Sequence, residues 1–173
     1  MNSPTGDGLL RDAMTDMFGP LSLVMVRDTR LAPSWRLSFL VNFFTGPLYR
    51  EVFDRFALDR AGFVILYTLS NQGNLVARDI CLATGLPKNS ISRSVADLLK
   101  RDLVTSRVDK TDKRARLLNI TAAGRTLVDG IVPMFESRQR AMRDVLTDAE
   151  KAAFDRCLEK MVFAMPRWVS PDE

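Results

Sequence analysis

Lys110, Lys113 and Arg114 crowd into the segment DKTDKRARLLNITAAG at residues 109–124. Cations this close repel one another unless a polyanion lies against them, and an arginine on a narrow projection fits the negative potential of a narrow DNA minor groove. A solvated turn that is basic by chance would read the same way, so the residues upstream decide between them. There Lys88, Asn89, Ser90 and Arg93 stand within one short stretch. Arginine can make a paired contact to guanine or hold a phosphate, asparagine suits adenine, serine serves a base edge or a phosphate, and lysine serves a phosphate. A solvated helix face is the alternative for each of these residues taken singly. Together, next to a basic hairpin, they point to nucleic-acid contact.

Such residues need rigid elements to present them. Residues 74–102 read as two short helices separated by Gly85, Leu86 and Pro87. Gly85 can adopt the left-handed conformation that ends the first helix, and Pro87 presets the backbone for starting the second. This is a helix-turn-helix pattern. In the second helix Ile91, Val95, Leu98 and Leu99 recur at i, i+4, i+7 and i+8, the spacing of a buried stripe. Steps of about 100° then turn Asn89, Arg93, Ala96 and Lys100 outward, with Lys88 and Ser90 beside them. Ala96 would let the helix lie close to a groove floor. Asp97 opposes phosphate contact unless Arg93 or Arg101, each four residues away, pairs with it. Arg107 and Val108 can close one strand and residues 115–120 form the other, after which Thr121 is placed to cap a helix.

Charge is concentrated on this module. Residues 74–125 carry 11 Lys or Arg against 5 Asp, a net of +6, which leaves −2 for the rest of a chain of net charge +4. The basic module is the electrostatic footprint expected for a polyanionic partner. At 173 residues and 46% apolar composition the chain can bury a core as one domain. Cys81 and Cys157 are far apart and there is no histidine, so neither a disulfide framework nor a zinc site is indicated, and neither thiol is assigned a redox role. No metal or cofactor is expected. No basic stretch precedes the apolar run at residues 21–26, and residues 39–49 fall well short of the ~20 needed to span a bilayer. The expected location is the cytoplasm, without a membrane partner.

The order helix, Gly-Leu-Pro, second helix, strand, Asp-x-x-Asp-Lys-Arg hairpin, strand and Thr-x-x-Gly helix start resembles the MarR family of winged helix-turn-helix transcriptional regulators. The resemblance covers roughly residues 59–166 and is sharpest at Asp109, Asp112, Arg114, Leu118, Thr121 and Gly124. It implies that Arg114 enters the minor groove and that Asp112 holds it in place. Thr111, where the family often has a basic residue, and Pro87, where a Ser or Thr cap is common, depart from the pattern. The implied fold is mainly α with a small β-hairpin wing, a winged helix-turn-helix lobe between N- and C-terminal dimerisation helices.

The flanking segments suit that role. Within residues 33–56, Leu40, Phe43, Phe44, Leu48, Val52 and Phe56 recur at helical spacing, with Gly46-Pro47 expected to kink the helix. A long helix is expected from Thr121 to about Val145, bent near Pro133. Another starts at a capping box, Thr147-Asp-Ala-Glu150, and ends near Met165 with Ala153, Phe154, Cys157, Leu158, Met161 and Val162 on its apolar side. Leu9, Leu10, Met14 and Met17 suggest a short amphipathic helix ended by Gly19-Pro20. The expected division is an extension at 1–32, a first dimerisation helix at 33–58, the DNA-binding lobe at 59–121, C-terminal dimerisation helices at 122–166 and a tail at 167–173. A two-fold homodimer would set its reading helices about one turn of DNA apart, ~34–36 Å, over a roughly palindromic site.

Many proteins of the resembled family bind small aromatic or phenolic anions. Trp35, Phe39, Phe43, Arg50 and Tyr67 are of suitable type to line such a site here, although stripes of this kind more often pack a core. The resulting expectation is a ligand-responsive repressor of transcription that binds double-stranded DNA as a homodimer. The sequence offers no phosphate-binding glycine loop, no nucleophile elbow and no histidine base, so an enzyme is not expected. The rival reading is a winged-helix module that binds another protein without specific DNA binding. An apolar exposed face on the second helix would favour that rival, whereas Asn89, Arg93 and Lys100 favour DNA.

Overall fold

The structure, a computed structural model, describes residues 6–109, 112–113 and 115–169. These residues form two compact units that divide between Arg60 and Ala61. In the first unit, α1 (Gly6–Phe18) packs on α2 (Pro20–Arg27), and α2 packs on α3 (Ala32–Phe56). Gly19, at φ 78, makes the left-handed joint between the first two helices, and Pro20 starts the second. The α2 helix was not anticipated, because its short apolar run carries no polar face to give a period.

Phe18 closes the first unit by meeting Phe39 edge-on at 5.2 Å between ring centres and Phe43 at 4.5 Å. Arg36 Nε donates to the Val26 carbonyl at 2.7 Å, tying α3 back to the end of α2. The α3 helix runs through Pro47 to a left-handed cap at Ala57, so Gly46-Pro47 does not end it. Leu48 and Val52 are buried, yet Trp35, Leu37, Leu40, Val41, Phe43 and Phe53 are 42–56% exposed. That is a large apolar surface for one helix.

The second unit contains α4 (Arg60–Asn71), α5 (Ala77–Thr84), α6 (Lys88–Lys100), the antiparallel pair β1 (Val104–Val108) and β2 (Arg116–Ile120), α7 (Ala122–Arg143) and α8 (Asp148–Phe163). Its core is apolar and drawn from nearly every element: Ile65, Leu66 and Leu69 of α4, Ile80 of α5, Ile91 and Leu98 of α6, Leu118 of β2, and Val128 and Ile131 of α7. Each such side chain contributes roughly 1.5–3 kcal/mol by leaving water. Phe63 stacks on Phe135 of α7 at 4.6 Å and 10°. The α8 helix, by contrast, buries no residue, and Met161, Val162 and Phe163 are exposed.

Helix ends follow the local sequence. The Thr147 N–H donates to Glu150 Oε2 at 2.8 Å, and the Glu150 N–H donates to Thr147 Oγ1 at 3.3 Å, the reciprocal capping box expected at that boundary. The Thr147 N–H, and after it the Thr147 hydroxyl at 2.8 Å, donate to the carboxylate and hold Glu150 below the ordinary glutamate pKa. A carboxyl group whose folded pKa is depressed stabilises the fold above its unfolded pKa, and that contribution disappears as pH falls through the folded value. Glu150→Gln should therefore reduce the acid sensitivity of the start of α8, read by amide hydrogen exchange at residues 148–151 between neutral and acid pH. An unchanged pH profile would contradict the capping role of the charge.

Candidate nucleic-acid interface

The geometry of α6 follows from its turn. Gly85 ends α5 at φ 65, donating to the Cys81 carbonyl at 2.9 Å, and Pro87 stands at the N-cap of α6 with extended backbone. No side chain caps that first turn. Its amide N–H groups are the kind a phosphate oxygen can accept from.

Burial then fixes the outward face. Ile91 and Leu98 are fully buried and Ser94 is 4% exposed, whereas Val95 and Leu99 are half-buried. The inward stripe is therefore centred on Ile91, Ser94 and Leu98, slightly rotated from the purely apolar one expected. A small hydroxyl side chain allows close packing there, which an apolar periodicity count cannot register. Lys88, Asn89, Arg93, Ala96 and Lys100 are exposed and Ser90 is half-buried, so the expected reading face is open. Asp97 is paired with Arg101 at 3.5 Å, which offsets its repulsion of a polyanion and leaves Arg93 outside that pair.

The wing is anchored at its root. Val104 pairs with Ile120 and Val108 with Arg116, and the Leu118 N–H donates to the Leu75 carbonyl at 2.8 Å, adding a bridge from the segment before α5. Thr121 is the hinge pin between wing and α7. Its N–H donates to the Leu103 carbonyl at 3.1 Å, its hydroxyl donates to the Asp102 carbonyl at 2.8 Å, and its Oγ1 accepts the Gly124 N–H at 3.0 Å. Toward the tip, the Asp109 N–H donates to the Ala115 carbonyl at 3.0 Å, and the Ala115 N–H donates to the Asp112 carbonyl at 2.9 Å. Lys113 and the Asp112 carboxylate are exposed there. Lys110, Thr111 and Arg114 lie outside the described residues, and so does any contact of Arg114 with Asp112.

Two cations of the wing stem, which the sequence places only as strand residues, are each held by a neutral oxygen. Arg107 Nη2 donates to Asn74 Oδ1 at 2.6 Å, and Arg116 Nε donates to Ser106 Oγ at 2.9 Å. Asn74 comes from the loop between α4 and α5, and its reciprocal bonds with Asn119 span 45 positions. No periodic signal in a sequence reports such a pairing.

The aromatic candidates for an effector site divide by unit. Phe39 and Phe43 are packed against Phe18 in the first unit, where Trp35 and Arg50 are exposed. Tyr67 belongs to the second unit, where it stacks on Phe63 at 5.8 Å and is 47% exposed. Cys81 is half-buried and Cys157 exposed. Among the described residues no group of His, Cys, Asp or Glu could hold a metal ion, and no helix is long and apolar enough to cross a membrane.

A family model described as MarR family matches residues 58–115, from the end of the first unit through the helix-turn-helix and into the wing. The HTH-type transcriptional regulator PetP of Rhodobacter capsulatus is 27% identical over 112 residues, which cover 65% of this chain and 68% of PetP. Among solved structures, a MarR-family transcriptional regulator from Silicibacter pomeroyi shares the fold with a TM-score of 0.66 at 22% identity, covering 82% of this chain and 96% of its own. Bordetella bronchiseptica BpsR, whose DNA binding is regulated by 6-hydroxynicotinic acid, is 28% identical with a TM-score of 0.59, over 67% of this chain and 83% of BpsR.

Proposed function

Because the chain belongs to the MarR family of winged helix-turn-helix transcriptional regulators, whose members are DNA-binding proteins rather than enzymes, we propose that it is a ligand-responsive repressor that binds a roughly palindromic operator as a homodimer. The observation that carries the reading is the outward face of α6. Lys88, Asn89, Arg93 and Lys100 are exposed along it while Ile91, Ser94 and Leu98 fix the opposite face in the core. A rigid helix that offers cations and amide groups can be laid in a major groove. Lys88, Asn89, Ser90 and Arg93 supply the base and phosphate contacts from α6, and Lys110, Lys113 and Arg114 supply those from the wing, with Asp112 orienting Arg114. Such a protein would work in the cytoplasm, where its DNA is.

The dimer would take the apolar surface that each unit leaves exposed. Residues 33–58 supply Trp35, Leu37, Leu40 and Val41, and residues 122–166 supply Met161, Val162 and Phe163. Two-fold pairing of such helices gives a reason for an α8 that buries nothing within its own chain. Effector control is drawn from the relative BpsR, which responds to a hydroxylated aromatic carboxylate. Within the first unit Trp35 and Arg50 are exposed and of a type suited to an anion of that class, beside Phe39 and Phe43, and Tyr67 is the corresponding candidate of the second unit.

The test is a complex of two subunits per duplex, measured by light scattering on the eluting species, that dissociates when 6-hydroxynicotinic acid or a related phenolic acid is added. One subunit per duplex would refute the dimer. A complex that withstands the whole series of aromatic acids would refute effector control by that class.

Arg114→Ala should weaken binding to matched and scrambled duplexes alike by roughly 1–3 kcal/mol and flatten the salt dependence of affinity, since a minor-groove arginine also neutralises phosphate potential. Titration at several salt concentrations reads both effects. Unchanged affinity together with an unchanged slope would remove Arg114 from the interface.

A further inference from the structure

The wing stem carries two arginines besides the cations of its tip, and their arrangement is specific. Arg107 stands opposite Leu117 in the register and Arg116 opposite Val108. Successive residues of a strand point to opposite faces, so the two guanidinium groups leave the hairpin on opposite sides. Both residues are exposed. Each is held by a neutral oxygen, Arg107 by Asn74 Oδ1 at 2.6 Å and Arg116 by Ser106 Oγ at 2.9 Å. Among the described residues, neither takes part in an ion pair with a carboxylate. A neutral acceptor restrains the orientation of a guanidinium and leaves its full charge available to a ligand.

The holder of Arg107 is itself fixed. Asn74 adopts φ 60, a left-handed conformation that asparagine tolerates better than most residues. Its N–H donates to Asn119 Oδ1 at 3.0 Å, and Asn119 Nδ2 donates back to Asn74 Oδ1 at 3.0 Å. A Cβ at Gly73 would stand 2.9 Å from Asn119 Oδ1, so the loop approaches β2 as closely as glycine permits. Just before the loop, Arg125 of α7 donates to the carbonyl of Ser70 in the last turn of α4 at 3.2 Å. The loop between α4 and α5 is thus pinned to both strands of the wing, and the end of α4 that leads into it is held to α7.

We infer that Arg107 and Arg116 are phosphate-binding residues that straddle the wing, one facing each backbone of the groove the wing enters, and that Asn74 is a positioning residue that aims Arg107. The inference rests on the DNA-binding reading above. A wing seated in a groove has a phosphate wall on each side, and cations on only one face would serve only one of them. Two anchored guanidinium groups on opposite faces serve both. Because they meet phosphates, they add affinity and fix register without reading sequence.

The experiment is the slope of log Kd against log salt for the full chain on a fluorescent duplex, between about 50 and 200 mM salt. Arg107→Gln and Arg116→Gln should each lower the slope by about one, so that affinity falls roughly fourfold less across that range, equally on matched and scrambled duplexes. Arg107→Lys should keep the slope. Asn74→Asp preserves the shape of the side chain but sets a carboxylate against Arg107, and it should lower the slope as much as removing the arginine does.

A purely structural Asn74 would shift the thermal midpoint of Asn74→Asp and leave its slope at the parent value, and that result would overturn the positioning role. Parent slopes in both arginine-to-glutamine variants would overturn the phosphate assignment. A parent protein that shows no salt-sensitive binding to any duplex would instead overturn the DNA-binding reading on which the inference rests.

Discussion

Gly124→Ala should be among the most damaging small substitutions in the second unit, costing about 3 kcal/mol and lowering the thermal midpoint by roughly 10 °C. Gly124 is the third residue of α7, where its N–H donates to the capping Thr121 hydroxyl. A Cβ there would fall on the Leu103 carbonyl oxygen and press to 2.8 Å on Ile120 Cγ1. The carbonyl cannot move aside cheaply, because it accepts the Thr121 N–H at 3.1 Å and the carbonyl before it accepts the Thr121 hydroxyl. Relief would require α7 to lift from the junction of α6 and β1, the joint that sets the wing. A Cβ at Gly130, further along α7, would meet nothing within 4 Å, so Gly130→Ala should stabilise by up to about 1 kcal/mol through helix propensity alone. The two substitutions are chemically identical and opposite in expected sign. Equal thermal midpoints in the pair would contradict the close approach of α7 to Leu103.

Arg93→Ala should reduce affinity for the preferred duplex by roughly 1–3 kcal/mol and relax preference at one base pair of each half-site. Arg93 stands on the exposed side of α6, next in sequence to the buried Ser94, so its backbone is held by the core while its side chain is outside the Asp97–Arg101 pair. Binding of the variant to a panel of duplexes, each changed at one position, separates the possibilities. Preference lost at a single position identifies a base contact. A uniform loss across the panel assigns Arg93 to phosphate, and no loss at all removes this face of α6 from the DNA.

What the sequence disclosed, and what it withheld, follows the range of the interactions. Gly85, Pro87, Thr121 and Thr147 act on backbone within four residues of themselves, and each ends or starts a helix where its type implies. The inward side of α6 was legible through Ile91 and Leu98. Ser94 was missed because hydropathy ranks a hydroxyl with the surface. The α2 helix was missed because eight mostly apolar residues show no contrast between faces.

The site divides in the same way. Residues on α6 were placed by helical geometry, whereas Arg107 and Arg116 gained their significance from strand register and from Asn74, which tertiary structure alone supplies. Phe39 and Phe43, selected as aromatic and helical, meet Phe18 of a helix some 20 residues away, and no local pattern announces that contact.

Whether the face of α6 and the wing together recognise a specific operator is decided by equilibrium fluorescence anisotropy of the purified chain. The DNA is the intergenic segment upstream of its own gene, set against a scrambled duplex at low and physiological salt. Binding should favour the natural segment, strengthen as salt is lowered and saturate at two subunits per site. Equal, weak binding to both duplexes at both salts would contradict operator recognition and return the basic face to a protein partner.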